Sequence, residues 1–600
     1  MSGPGDASTG PRAKRKVPLS PLWFWLLAIV VGLVGGAGAV VFRGMIALFH
    51  NLLFLGKISV FYDSSVHTAP SPWGVLIIFV PVLGAIAVTW LVNTFAPEAR
   101  GHGVPEVMDA IYYNKSVIRP QVSVIKALAS ALSIGSGGSV GREGPIIQIG
   151  SAFGSTIGQW LRIPAWQRTT LIAAGAGAGI AATFNTPIGG VLFAAELLLH
   201  EISVWTLVPV VIATASASYV GRIFFGPNPA FAIPQLRIDY FRLTHPLLLL
   251  AYVGLGIIIG LVSVVYIRSI YIFEDFFNAK IRNPYLRHMS GMLLLGILMY
   301  LLLRQTGAYQ IEGVGYATIQ QVLSGTLNSA WLLLALFVLK LFATSLTLGS
   351  GASGGIFSPA LFLGATLGSA YGILLQQILP GIVISPAAFA VVGMAGIVGG
   401  ATGAAITAIV MIFEMTLDYG VIVPMTITVA IAYGVRKVIS NESIYTLKLM
   451  RRGHRMPSAM QANIQYMKPA RDLAHADIVR LSGAMTLPDF AGALPSFPED
   501  ACFVISDEKN IHGVITMNAA RKAVAHPDHA RTLAEIASPA YAVISADTSV
   551  FEILSKIRLD GTEVFLMAPG QRDPGEGLQR WISKESIAAS LIDAVELFAD

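Results

Sequence analysis

The feature that most constrains the fold is a set of long apolar runs with almost no charge. Over the whole chain, 54% of residues are hydrophobic and 12% are charged, about half the charged fraction of a soluble domain. About 20 apolar residues span the hydrocarbon core of a bilayer as a helix. Several runs fit or approach that length and predict a polytopic α-helical membrane protein: residues 21–42, 73–92, 247–267, 290–303 and 331–348.

Basic residues flank the apolar region on both sides. Residues 1–19 contain PRAKRK and no small-residue cleavage site, so the first run is interpreted as a retained helix. The last run ends near Val438 and is followed by LKLMRRGHR. The positive-inside rule therefore places both termini in the cytoplasm, with the chain in the plasma (inner) membrane and the lipid bilayer around it. The single cysteine, Cys502, suits a reducing compartment, and the modest net charge of +6 does not indicate nucleic-acid binding.

The apolar region contains an internal duplication. An offset of 214 residues places Pro145 on Pro359 and, outside the stretch used to find it, Lys126 on Lys340. Further along, an offset of 218 residues aligns AATFNTPIGGVLFAAEL with GGATGAAITAIVMIFEM. Chance similarity among Gly/Ala-rich helices is the alternative explanation. Prolines and lysines in register favour a duplicated transporter with Gly- and Pro-broken helices.

Three short stretches share one design: GHGVPE (101–106), GREGP (141–145) and GGIFSP (354–359). In each, glycines that allow close approach of the backbone to a ligand precede a proline suited to the first turn of a helix. The unpaired N–H groups and the positive dipole end of such a turn bind anions. Several of these helix starts, meeting at the bilayer midplane, would hold a small anion. The sequence lacks a comparable set of inward carboxylates for a divalent cation.

These stretches, with IYTLKL around Tyr445, resemble the signature segments of the CLC family of chloride channels and transporters over residues 20–450. The resemblance implies two inverted-topology repeats of broken and tilted helices, a homodimer with one pore per subunit, and chloride or a similar anion as ligand. It also implies that the N–H groups of Ile356 and Phe357 hold the central anion and that Tyr445 donates its hydroxyl. The implied anion-binding residues are His102, Gly141, Arg142, Gly144, Gly355, Ile356, Phe357 and Tyr445.

The resemblance assigns the gate to Glu143. An ionisable side chain in an apolar membrane region is costly and marks a functional site. A carboxylate beside an anion site is itself an anion, so it occupies the site when ionised and leaves when protonated or outcompeted. Pairing with Arg142 is the alternative, although adjacent helix positions do not face each other. Lys126 and Lys340 are assigned to anion steering in the vestibules, with snorkelling helix-end lysines as the alternative.

Two positions depart from the family pattern. His102 stands where the family usually has a serine, and its imidazole predicts pH-sensitive permeation. Leu197 stands where the family's exchangers carry a second glutamate, and a leucine cannot relay protons. Glu201, four residues further on, is the candidate substitute on the proton path, because it would lie on the same helical face. Glu196 and Glu414 match between the halves, which predicts a shared structural role.

Residues 451–600 have the composition of an ordinary cytoplasmic α+β domain. Strand-like ACFVISD, HGVITM, YAVIS and EVFLMAP alternate with helical TSVFEILSKIRL and SKESIAASLIDAVELF. A strand, turn, strand, helix order occurs twice and resembles a CBS-domain pair. The ribose-binding acid of nucleotide-binding CBS motifs is replaced by Ala519 and Ser586, which argues against a bound nucleotide. No cofactor is expected, and the domain is assigned to support of the dimer.

The predicted function is gated transport of chloride and similar anions. A passive voltage- or pH-gated channel is favoured over a proton-coupled exchanger because of Leu197. A CBS-regulated divalent cation transporter is the alternative from a different class, and it would need several facing intramembrane acids. The sequence contains no recognisable nucleophile with its base and no metal-ligand cluster, so an enzyme is not expected.

Overall fold

The computed structural model describes residues 18–199, 202–233, 246–454, 469–474, 478–507, 510–525, 531–568, 578 and 580–588. The chain divides into two compact units, residues 1–456 and residues 457–600. The basic stretch before residue 18 and Glu201 lie outside the described residues. The predicted last helix lies outside them from residue 589 onward.

The first unit consists of helices. Its α-helices in the described residues are α1 Pro21–Leu55, α2 Val80–Phe95, α3 Val104–Tyr112, α4 Gln121–Gly135, α5 Glu143–Trp160, α6 Ala165–Phe184, α7 Pro187–Leu197, α8 Val204–Phe225, α9 Pro246–Lys280, α10 Pro284–Thr306, α11 Tyr316–Leu323, α12 Ala330–Ser350, α13 Phe357–Ile378, α14 Pro386–Thr402, α15 Ala405–Thr416, α16 Ile422–Ile439 and α17 Thr446–Arg451. Within the described part of the chain, eight helices are long and apolar enough to cross a membrane. The unit is therefore an integral multi-pass membrane unit, as predicted.

Helix boundaries follow local chemistry. Pro187, Pro284 and Pro386 each occupy the first position of a helix, where a missing N–H costs no intrahelical hydrogen bond. At the other end, Gly307 (φ 76°) and Gly403 (φ 83°) stop α10 and α14 in the left-handed conformation. A side chain would oppose that conformation, so glycine ends these helices at low cost.

The two halves of the membrane unit repeat one pattern of helix contacts. Helix α1 packs against α4, α6 and α8, and helix α9 packs against α12, α14 and α16. Likewise α5 packs on α6 in the first half, and α13 packs on α14 in the second. Helices α1–α8 and α9–α16 are thus equivalent in order and in neighbours. The duplication inferred from the two sequence offsets agrees with this arrangement.

Glycines bring the α5–α6 and α13–α14 pairs into close backbone contact. A Cβ added at Gly150 would lie 2.1 Å from the carbonyl oxygen of Gly175, and one at Gly175 would lie 2.1 Å from that of Gly150. The equivalent pair in the second half, Gly364 and Gly393, gives 2.3 and 2.2 Å. Small residues permit this approach, which is typical of helix pairs within membranes.

Glu196 and Glu414 cap each other's helices. The carboxylate of Glu196, in α7, accepts from the N–H groups of Ile406 (3.1 Å) and Thr407 (2.7 Å) at the start of α15. The carboxylate of Glu414, in α15, accepts from the N–H groups of Ile188 (3.1 Å) and Gly189 (2.7 Å) at the start of α7. A carboxylate at a helix N-terminus satisfies free N–H groups and complements the helix dipole. This reciprocal capping is the kind of shared structural role that the sequence match predicts.

The second unit contains two small sheets built alike. Its elements are β1 Ile478–Leu481, α18 Leu487–Ala493, β2 Cys502–Asp507, β3 Asn510–Thr516, α19 Met517–Val524, α20 Leu533–Ile536, β4 Tyr541–Ser545, α21 Val550–Asp560, β5 Val564–Ala568 and β6 Arg580–Ser583. The strand orders are β1-β2-β3 and β4-β5-β6. In each sheet the first pair is parallel and the second is antiparallel. The α+β prediction for this region is therefore confirmed.

Candidate anion-binding site

The three Gly-rich stretches meet at one place in the membrane unit. Gly141 and Gly355 exchange two backbone hydrogen bonds, with N···O distances of 2.7 and 2.6 Å. The N–H of Gly101 donates to the carbonyl of Ala352 (3.1 Å), and the N–H of Gly354 donates to the carbonyl of Gly101 (3.3 Å). Helices α3, α5 and α13 all begin within three residues of these contacts. Segments distant in sequence therefore bring several helix starts together.

The carboxylate of Glu143 is surrounded by hydrogen-bond donors. Glu143 is 1% exposed and is the first residue of α5. Its Oε1 accepts from the hydroxyl of Tyr316 at 2.5 Å and from the hydroxyl of Ser358, and its Oε2 accepts from the N–H of Ser358 at 3.2 Å. An ionised carboxylate only accepts hydrogen bonds. The carboxylate thus occupies a site whose donors suit an anion.

Gly141, Gly144 and Gly355 leave no space for side chains beside this site. A Cβ at Gly141 would lie 2.2 Å from Oε2 of Glu143, and one at Gly144 would lie 2.1 Å from the carbonyl oxygen of His102. A Cβ at Gly355 would lie 2.8 Å from the N of Gly144. Their contribution in the structure is close backbone approach; their role as anion ligands stays a prediction.

Ile356 and Phe357 lie at the start of α13, as their predicted role requires. Phe357 is the first helical residue and Ile356 is the N-cap, so their N–H groups are among those that lack intrahelical acceptors. The carbonyl of Ile356 accepts from the hydroxyl of Tyr266 at 2.9 Å. The donor that reaches Glu143, however, is Ser358, the next residue along the helix.

His102 and Tyr445 lie together, both buried. Their ring centroids are 6.0 Å apart. The Nε2 of His102 is 3.5 Å from the hydroxyl oxygen of Tyr271, which itself donates to the carbonyl of Ile444 at 2.6 Å. Within the described part of the chain, the Nδ1 of His102 has no hydrogen-bond partner. A buried imidazole nitrogen beside a buried phenol is a suitable setting for a polar ligand.

Arg142 precedes the gate but packs on aromatic rings. Its guanidinium lies over the ring of Tyr316 at 5.0 Å and over the ring of Phe184 at 5.8 Å. The side chain is buried, and its Nε has no partner among the described residues. It also lines a small cavity with Arg43 and Glu312. These contacts orient the guanidinium toward the ring of Tyr316, whose hydroxyl bonds Glu143.

The steering role predicted for Lys126 and Lys340 does not fit the structure. Both side chains are fully buried and therefore do not face a vestibule. The Nζ of Lys126 donates to the carbonyls of Ala99 (2.9 Å) and Gly101 (2.7 Å). The Nζ of Lys340 donates to the carbonyls of Ile311 (3.0 Å) and Gly313 (2.9 Å). Each lysine holds the turn before a short helix, so the snorkelling alternative is also wrong.

A cavity of about 230 Å³ reaches His102. Arginine and lysine side chains line it together with acids, and the residues are Arg100, Lys448, Arg451, Arg452, Glu106 and Glu274. Arg452 forms a bidentate pair with Glu106, with N···O distances of 2.9 and 2.6 Å. The cavity has a charged lining and could admit a hydrated ion, whereas the surroundings of Glu143 are closed.

The proposed proton path through Glu201 has no support from the helix geometry. Helix α7 ends at Leu197, so the same-face argument for a residue four positions further on does not apply. Glu201 itself lies outside the described residues. Glu196 is held by the start of α15.

Two residues of the site were missed by the sequence analysis. Ser358 belongs to the recognised GGIFSP stretch but was not singled out. Tyr316 follows the stretch GVG at 313–315, which resembles GHG at 101–103 with an offset of 212 residues. That offset, two residues different from the one that relates Lys126 to Lys340, was the available signal.

Comparisons with known proteins agree with this geometry. The family model described as voltage gated chloride channel matches residues 84–437. The chain is 34% identical to the H(+)/Cl(−) exchange transporter ClcA of Vibrio campbellii, over 62% of this chain and 78% of that protein. It is 33% identical to the putative chloride channel protein ClcB-like of Ralstonia nicotianae, over 58% of this chain and 80% of that protein.

Solved structures agree as well. A slow cyanobacterial Cl−/H+ antiporter gives a TM-score of 0.62 at 25% identity, over 73% of this chain and 99% of that one. A eukaryotic CLC transporter gives 0.58 at 20% identity, over 94% and 98%, which is a likeness of fold. With a family model covering more than half of its length, the chain belongs to the CLC family, the family of the voltage-gated chloride channels.

Proposed function

We propose that this protein moves chloride across a membrane and couples that movement to protons, as an exchanger. The observation that carries the proposal is the Glu143 carboxylate, buried in a site whose surrounding groups donate hydrogen bonds. When Glu143 is ionised it fills the site. When it takes up a proton it loses its charge and chloride replaces it. One site then serves the proton and the anion in turn.

The relatives support the exchanger over the channel that the sequence analysis favoured. The Vibrio campbellii relative is an H(+)/Cl(−) exchange transporter, and the cyanobacterial structure is a Cl−/H+ antiporter. The preference for a channel rested on Leu197 alone. Against these relatives it is the weaker interpretation.

A passive chloride channel remains the second candidate, because of a specific observation at Leu197. Leu197 is the last residue of α7, and its side chain packs against the apolar core. A hydrocarbon side chain there offers no proton relay. In this second interpretation, Glu143 opens and closes the pathway without carrying protons through it.

Further features of the proposal concern the assembly. The two halves have inverted topology, two copies form a homodimer with one pathway per subunit, and both termini lie on the cytoplasmic side of the plasma (inner) membrane. Support comes from family membership and from the basic flanks. The second unit is a CBS-type pair without bound nucleotide, supported by its two sheets of equal strand order. His102 and Tyr445 contribute donors to a second anion position, and His102 makes its occupancy pH-sensitive.

The test is proton movement driven by chloride. Purified protein is placed in weakly buffered liposomes loaded with high chloride, and external pH is followed while a potassium ionophore clamps the voltage. We expect sustained proton movement in fixed proportion to chloride flux in the wild type. Glu143→Gln should lose it while chloride flux continues.

The matched control is Glu98→Gln, an exposed glutamate paired with Arg119, which should behave as wild type. Chloride flux without proton movement in the wild type would favour the channel. Absence of chloride flux would overturn both candidates.

A further inference from the structure

The hydroxyl of Tyr316 is part of the gate site. It donates to Oε1 of Glu143 at 2.5 Å and lies 2.9 Å from Oγ of Ser358. Tyr316 is 5% exposed. A phenol hydroxyl carries one proton, and the ionised carboxylate is the strongest acceptor within its reach. The closed gate therefore depends in part on this side chain.

The ring of Tyr316 is held on several sides. The ring of Phe231 meets it edge-on at 5.3 Å, and the guanidinium of Arg142 lies over it at 5.0 Å. The ring of Phe184 is 6.4 Å away. Because aromatic and cation–π contacts set the ring position, the hydroxyl stays in place when the gate side chain moves.

The backbone that carries Tyr316 is also held. Tyr316 is the first residue of α11, directly after Gly315 with φ of 80°. The preceding turn includes Gly313 with φ of 50°, and the buried Lys340 donates to its carbonyl and to that of Ile311. A glycine turn fixed by a buried cation presents the side chain rigidly.

The equivalent turn in the first half presents His102. Gly101 (φ 78°) and Gly103 (φ 88°) flank it, and Lys126 holds the carbonyl of Gly101. The molecule thus contains two copies of one device: a Gly-x-Gly turn held by a buried lysine, with a polar ring side chain on it or directly after it.

Resting on the proposed function, we propose that Tyr316 is an anion ligand that also sets the competition between the gate carboxylate and the transported anion. Its hydroxyl donates to Glu143 when the gate is closed and to chloride when the carboxylate leaves. Without an anion, a buried donor would then remain unpaired, which is costly. The charge on a carboxylate oxygen is more localised than that on chloride, so loss of the hydroxyl weakens the closed state more than the anion-bound state.

The test compares Tyr316→Phe with wild type in chloride efflux from liposomes across pH. Phenylalanine keeps the ring and its packing. We expect the pH of half-maximal flux to rise by about one unit, and flux at neutral pH to rise roughly tenfold, as expected for one hydrogen bond to a charged group. The other charged or titratable groups near Glu143 are Arg142, Tyr266 and Tyr445; they and His102 are unchanged in every variant.

The same substitution is then made in Glu143→Gln. There the pH shift should vanish, while the chloride concentration for half-maximal flux should rise several-fold. Tyr371→Phe is the control, because its hydroxyl donates to the carbonyl of Ala251 (3.0 Å), away from the gate. A role limited to packing would leave both readouts at control values, and that result would overturn the proposal for Tyr316.

The outcomes separate the two proposals. If wild type carries chloride and Glu143→Gln changes its pH profile, but Tyr316→Phe behaves like Tyr371→Phe, only the assignment of Tyr316 is wrong. If wild type carries no chloride, the proposed function is wrong and the inference falls with it.

Discussion

The two helices that meet at the site begin at equivalent positions with different residues. Glu143, the first residue of α5, corresponds to Phe357, the first residue of α13. Gly144 corresponds in the same way to Ser358. The first half therefore supplies the carboxylate, and the second half supplies an N–H and a hydroxyl that bind it. Two differences within a duplicated motif turn a symmetric pair of helix starts into an acid and its binding site.

The parts that stayed alike between the halves are structural. Lys126 and Lys340 each hold two carbonyls of a turn. Glu196 and Glu414 cap each other's helices. Residues that hold the scaffold are thus duplicated, whereas residues that touch the site have diverged. Substitutions that copy one half onto the other test this distinction.

The largest effect is expected from Gly144→Ser, which copies the second half onto the first. The added Cβ would lie 2.1 Å from the backbone carbonyl oxygen of His102, and a buried backbone cannot yield that much. We expect a loss of more than about 4 kcal/mol, the range of severe core defects, seen as loss of the monodisperse peak in detergent. The control is Gly44→Ser in α1, where an added Cβ has no neighbour within 4 Å. A well-folded Gly144→Ser protein would contradict the close packing described here.

Lys126→Met and Lys340→Met should both destabilise the protein, by similar amounts. Each leaves two buried carbonyls without a donor, at about 1–3 kcal/mol for each group. Thermal unfolding in detergent measures the loss, with the exposed Lys57→Met as control. A pair of stable variants whose flux recovers at high chloride would instead support the steering role.

Glu196→Gln and Glu414→Gln should have smaller and nearly equal effects. Each removes a charged cap from the partner helix, worth about 1 kcal/mol. Glu196 also accepts from the hydroxyl of Thr407 at 2.5 Å, so its loss should be slightly the larger. The pH dependence of chloride flux should not change. An altered proton-to-chloride ratio in Glu196→Gln alone would show that this residue lies on a proton path.

The smallest effect is expected in the second unit, at Cys502→Val. Cys502 pairs with Ile478 and Thr516, as Val564 pairs with Tyr541 and Ser583 in the other sheet. Copying valine onto this buried position should change the free energy of unfolding by less than about 1.5 kcal/mol.

Reactivity of the same thiol gives a second measurement. Burial raises the pKa of the Cys502 thiol to about 12, so the reactive thiolate is scarce at neutral pH. Maleimide should label the wild type only after unfolding. Rapid labelling of the native protein would contradict the buried position.

Much of the scaffold could be predicted from the sequence, because its signals are local. Runs of apolar residues define membrane helices, and glycine followed by proline marks helix starts. The lysines were misassigned since a charge in a membrane segment indicates function, whereas their partners are backbone carbonyls that leave no trace in side-chain patterns. Tyr316 was missed because it lies 173 residues from Glu143. Only the folded chain brings these two side chains together.

The central claim is that the Glu143 carboxylate and the transported anion compete for one site. The most direct measurement is a crystal structure of Glu143→Gln grown in bromide, with anomalous scattering to locate the ion. We predict bromide at the position of the carboxylate, in contact with the hydroxyl of Tyr316 and the N–H of Ser358, and no such peak in the wild type with the gate closed. A glutamine side chain that keeps the site, with bromide absent from it, would contradict the account.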